Sequence, residues 1–186
     1  MHLLAIPGMH VNQQRRDGAT PLWIAAQMGH TDCVRLMLRG GVDVDLARAD
    51  GATPLFKACH KGHEEVVKEI LRFKPRLDTL EVLRLVFNFL SYPLLFQNGS
   101  TCLHAAALSG HASLILHLLD AGADPNTANI SGFTPLDVAL GAARKTLKSV
   151  TSRITDPHLL GGMDCLARSL TPDKLSSLRN GASLML

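Results

Sequence analysis

The chain has 186 residues, of which 46% are hydrophobic and only 4% aromatic, with a net charge of +3. That length suits one domain, and 19 scattered Lys and Arg, not interleaved with aromatics, speak against a nucleic-acid surface. No apolar run is long enough to span a bilayer.

Met1 to His10 is apolar but lacks a basic leader, so no secretory signal is expected. Val11-Asn12 reads as the closing pair of a unit whose helices are missing, and Leu3, Leu4 and Ile6 are expected to cover the first unit as a cap. From Asp17 a pattern begins: Asp17-Gly18-Ala19-Thr20-Pro21-Leu22-Trp23-Ile24-Ala25-Ala26, then Gly29-His30, Cys33-Val34, Met37-Leu38 and Gly40-Gly41. Thr20 suits a helix N-cap and Pro21 the first helical position, where no amide donor is needed. Leu22, Ala25 and Ala26 follow at helical spacing, Gly29-His30 ends the short helix, and a second helix carries an apolar stripe until Gly40-Gly41.

The pattern recurs. Asp50-Gly51-Ala52-Thr53-Pro54-Leu55 restarts it 33 positions later, with Gly62-His63, Val66-Val67 and Ile70-Leu71 in register. Asn98-Gly99-Ser100-Thr101 opens a third copy with Leu103, Ala106, Gly110-His111, Leu114-Ile115 and Leu118-Leu119. Ser131-Gly132-Phe133-Thr134-Pro135-Leu136 opens a fourth, whose second helix loses its stripe at Lys148, Thr151 and Ser152, as a terminal unit should. A fixed period means a repeat array in which each unit touches only its neighbours. Unit two departs at its end, where Lys74-Pro75 replaces Gly41-Val42, and Pro75 is expected to stop the helix.

These copies resemble the ankyrin repeat, which implies an all-α solenoid of helix-turn-helix units joined by β-turn hairpins. The expected organisation is an N-terminal remnant at 1–16, units at 17–49, 50–79, 98–130 and 131–154, an apolar insert at 80–97, and a tail of low order at 155–186. The insert, rich in Leu, Val and Phe, falls on the hairpin edge between units two and three. It reads as a helix packed on a neighbour, a poorly ordered splice-derived insert, or a hydrophobic contact element.

Catalytic constellations are missing from the sequence, so no enzyme activity, cofactor or metal is expected. Cys59, His60 and His63 have loosely metal-like spacing but no second ligand pair. Cys33, Cys59, Cys102 and Cys165, none close to another in sequence, read as small core residues in a reducing compartment, cytoplasmic or nuclear. His30, His63 and His111 share one register position and are expected to bond within their own turns. His104 fits the family's helix-start lock, which Trp23, Phe56 and Asp137 are expected to forfeit.

The resemblance implies a protein partner held in the concave groove. By register the hairpin positions are Arg16, Asp17, Ala19, Ala49, Asp50, Ala52, Ser100, Ile130 and Phe133. The first-helix positions are Gln27, Met28, His60, Lys61, Leu108 and Ser109. Trp23 is either an aromatic anchor or a packing residue between units. A monomeric interaction module is expected, the second reading being a truncated or splice-altered form that competes for a partner.

Overall fold

The structure, a computed structural model, describes residues 11–77 and 99–155. The expectations for residues 1–10, for the insert at 80–97 and for the tail beyond Thr155 fall outside them.

The described residues form eight helices: α1 Pro21–Met28, α2 Thr31–Arg39, α3 Pro54–Lys61, α4 Glu64–Leu71, α5 Cys102–Leu108, α6 Ala112–Asp120, α7 Pro135–Val138 and α8 Gly141–Thr155. Each first helix starts the same way. Thr20, Thr53, Thr101 and Thr134 stand in extended backbone, and each hydroxyl accepts an amide N–H three residues on. That satisfies one of the four amides a helix start leaves unpaired. Pro opens α1, α3 and α7, and Cys102 takes that place in α5.

The first helices α1, α3, α5 and α7 pack as one row, and α2, α4, α6 and α8 as a second row behind it. Between the rows lies a single core. Leu22, Leu55 and Leu103 fill it from the first helices, and Val34, Val66, Val67, Ile70, Leu114, Ile115, Leu118 and Leu147 from the second. Ala25, Ala26, Ala58, Ala105, Ala106 and Ala107 are also buried, and their small side chains let neighbouring first helices approach closely. Each fully buried Leu, Ile or Val stabilises the fold by about 1.5–3 kcal/mol relative to exposure.

Units two and three stack directly, α3 on α5 and α4 on α6, although 48 positions separate their starts. Cys59 and Cys102 are neighbours at this junction, and both are fully buried. Burial, and then the neighbouring Cys102, pushes the Cys59 thiol well above its ordinary value. On the outer row Glu64 of α4 accepts from Ser113 Oγ at 2.8 Å and lies 3.2 Å from His117 Nε2, tying α4 to α6. Between units one and two, Arg35 of α2 donates to Glu69 of α4 at 2.9 and 3.1 Å.

Four sequence expectations need correction. Cys33 is exposed, because it lies on the outward face of α2 at the end of the described stack, whereas its register partners Val66 and Leu114 are covered. His63 does not bond within its turn: its Nε2 pairs with the Gln27 carbonyl of the preceding unit at 3.0 Å, and its ring lies against Gly29. His111 likewise lies against Gly62, so this histidine docks one unit on the last. At the end of unit two, α4 stops at Leu71, and Lys74 adopts a left-handed backbone (φ 51°) in the slot where unit one has Gly41 at 78°. The stop therefore uses the glycine geometry without the glycine.

The helix-start lock is also kept more widely than expected. His104 Nδ1 accepts the Thr101 N–H at 3.2 Å, which leaves the proton on Nε2 to donate to the Phe133 carbonyl of unit four at 2.8 Å. Burial lowers the pKa of His104, in keeping with this neutral form. Trp23 makes the inter-unit half of the same device: its Nε1–H donates to the Ala52 carbonyl at 2.9 Å, and Ala52 is the register partner of Phe133. Asp137 makes the local half, accepting the Thr134 N–H at 2.8 Å. Of the three residues expected to forfeit the lock, only Phe56 has a side chain without polar atoms.

Candidate partner-binding surface

The edge of the stack is built from hairpins. Arg15, Arg48 and Asn129 each donate a backbone N–H to the residue four positions on, Ala19, Ala52 and Phe133, at 2.9–3.0 Å. Asp17 and Asp50 tighten their hairpins by accepting the N–H of Ala19 and Ala52. Neighbouring hairpins are joined by Ala49 N–H to Asp17 O at 3.1 Å and by Arg48, which lies 3.4 Å from Asp17 and 3.3 Å from Asp50. The amide of Ala19, and then the Arg15 and Arg48 guanidinium groups, hold the Asp17 carboxyl below its usual range. One further rung repeats: Asn12 Oδ1 accepts Asp43 N–H, and Asp45 Oδ1 accepts Arg76 N–H, both at 2.9 Å.

This scaffold sorts the register-derived residues. Arg16, Met28, Ala49, Lys61, Ile130 and Phe133 are exposed, and Asp17, Gln27, Asp50, His60, Ser100, Leu108 and Ser109 are half-buried. Ala19, Ala52 and Trp23 are buried, so they support the surface from beneath. Trp23 is 4% exposed, and its ring carries Arg48 at 5.1 Å and Lys57 at 5.6 Å. Its role is therefore packing between units. Three large apolar side chains stand out among these positions: Met28 at the end of α1, at 60% exposure, and Ile130 and Phe133 on the last hairpin, at 58% and 52%.

Sequence reasoning missed Arg48 and Lys57. Lys57 stands one helical turn before Lys61 on α3, a spacing visible in the sequence, and the two share a face. Burial, then Lys61, lowers the pKa of Lys57, and burial followed by Lys57, Lys61 and His111 lowers that of His60. Among the described residues no three His, Cys, Asp or Glu side chains converge as a metal site, and no helix is long and apolar enough to cross a membrane.

Comparison with known proteins gives one family. A profile described as Ankyrin repeats (3 copies) matches residues 1–80, and another described as Ankyrin repeats (many copies) matches residues 95–139. The chain is similar to Regulatory protein SWI6 of Kluyveromyces lactis, 40% identical over 33% of this chain and 8% of the relative. It is 48% identical to Regulatory protein SWI6 of Saccharomyces cerevisiae over 26% of this chain and 6% of that protein. It is 49% identical to human Oxysterol-binding protein-related protein 1 over 26% of this chain and 5% of that one. The matched segments thus span less than a tenth of these relatives. Ankyrin repeats are generally protein–protein interaction modules. With the period of the sequence, the two stacked rows of helices and the linked hairpins all in agreement, the chain belongs to the ankyrin-repeat family.

Proposed function

We propose that this chain is a non-catalytic recognition module that holds a protein partner along its hairpin edge and first-helix row, in the cytoplasm or nucleus. The observation that carries the reading is the exposure of Met28 on the first-helix row and of Ile130 and Phe133 on the hairpin edge, each more than half exposed. Isolated apolar side chains are ordinary, but several on one concave edge mark a contact surface. A stacked array presents such an edge as one surface, so a partner spanning several units gains from each of them.

The experiment is affinity capture with three forms of the chain: native, Met28→Glu/Phe133→Glu on the proposed edge, and Leu116→Glu on the exposed face of α6 in the other row. Circular dichroism checks that all three fold. A polypeptide retained by the native chain and by Leu116→Glu but lost from the edge variant is the expected result. A partner retained equally by all three, or lost only with Leu116→Glu, contradicts the proposal. A fourth form lacking residues 81–95 tests the competing-isoform reading, which expects binding to differ from that of the native chain.

A further inference from the structure

The proposed edge is chemically divided. Its units one and two carry cations. Lys57 and Arg48 share the Trp23 ring at 5.6 and 5.1 Å, Lys61 follows Lys57 by one turn, and Arg16 is exposed on the first hairpin. Of the carboxylates of this half, Asp17, Asp43, Asp45 and Asp50 each accept a backbone amide, and Asp17 and Asp50 also lie within 3.4 Å of Arg48. Units three and four carry Ser100, Leu108, Ser109, Ile130 and Phe133, none of them charged.

Resting on the edge as the binding surface, we infer that the partner segment is acidic at one end and apolar at the other, with carboxylates against Lys57 and Lys61 and bulky side chains against Ile130 and Phe133. Charge complementarity supplies the argument. Lys57 and Lys61 place like charge on one face of α3, one turn apart, and incoming carboxylates relieve that repulsion. Packed helices stand roughly 8–10 Å apart, so two unit steps separate the cationic from the apolar half by roughly 16–20 Å. An extended chain rises about 3.3 Å per residue, so the two parts of the motif lie about five or six residues apart.

The test pans a phage-displayed library of random peptides against the native full chain, against Lys57→Gln/Lys61→Gln and against Lys61→Gln alone. Lys61 is exposed, so the single variant keeps the test valid if loss of Lys57 from the Trp23 ring disturbs folding. The expected result is enrichment of Asp and Glu about five or six residues from Leu, Phe or Met on the native chain. The double variant should bind the selected peptides about three- to tenfold more weakly, one exposed and one half-buried ion pair being lost. Peptides that enrich without acidic residues, and are lost from Met28→Glu/Phe133→Glu, overturn this inference while leaving the edge as the binding surface. Failure to enrich any peptide over the edge variant overturns both. Tighter binding of a single-stranded oligonucleotide than of the selected peptides also overturns it, because the cations would then be serving phosphates.

Discussion

Adding one methyl group at Gly62 should cost more than adding it at Gly110, and the difference measures how unit three seats on unit two. Both glycines follow a first helix, and both have a left-handed backbone, with φ of 79° and 78°. An alanine in that conformation costs about 1–2 kcal/mol. Part of this, about 0.4–1 kcal/mol, is returned because alanine reduces the freedom of the unfolded chain. Gly110→Ala should therefore cost about 1 kcal/mol, since the added Cβ meets nothing nearer than the Leu140 carbonyl oxygen at 3.8 Å. At Gly62 the Cβ would stand 2.5–2.9 Å from Cε1, Nε2 and Nδ1 of His111. Ordinary contact is about 3.5–4.0 Å, so the ring must retreat by about 1 Å. Crowding of this kind adds about 1–3 kcal/mol. Urea unfolding followed by circular dichroism reads both variants, and Gly62→Ala should have the lower midpoint by about 1 M at slopes of about 1–3 kcal/mol/M. In a His111→Ala background, Gly62→Ala should fall back to the cost seen at Gly110. Equal costs at the two glycines, or no relief from His111→Ala, would refute the seating of His111 on Gly62.

Lys74→Gly should raise stability by up to about 1 kcal/mol by relieving a left-handed lysine, and a lower melting temperature would contradict that reading. Trp23→Phe keeps an aromatic ring but removes the indole donor, leaving the Ala52 carbonyl with the Arg48 N–H alone; a loss of about 0.5–1.5 kcal/mol is expected in urea unfolding, and no loss would show that the bond contributes nothing. Glu64 bears on acid stability. Lys68, then Ser113 and His117, hold its pKa at about 2, below the ordinary 4.5. Its contribution is therefore complete above pH 4.5 and lost as the pH falls from there through about 2. The urea midpoints of the native chain and Glu64→Gln should converge over that window, and a gap that stays constant or widens would count against it.

Much of the fold was legible in the sequence because each unit repeats its own signals. Thr at all four first-helix starts, Pro after it in three of them, Gly at the inter-helix turns, and the 33-residue spacing within each pair of units reinforced one another. Other features have no such signature. The Trp23 indole and the His104 imidazole make the same bond to the next unit, yet its acceptor is a backbone carbonyl, which every residue type possesses. Cys33 matches buried positions in register, and only its place on the outer face of the described stack leaves it exposed. The rows of exposed edge positions could be carried over from the family. Which of them are cationic neighbours could not, because Arg48 of unit one and Lys57 of unit two meet at the Trp23 ring across the unit boundary.

The claim on which the continuous edge depends is that units two and three stack despite the insertion between them. Nuclear Overhauser contacts between the β-protons of Cys59 and Cys102, residues 43 positions apart on α3 and α5, test it directly. Two fully buried, neighbouring cysteines on packed helices predict cross-peaks between them. Their absence, with both residues assigned and the chain folded, would mean that the two units stand apart and that no single surface runs from Arg16 to Phe133.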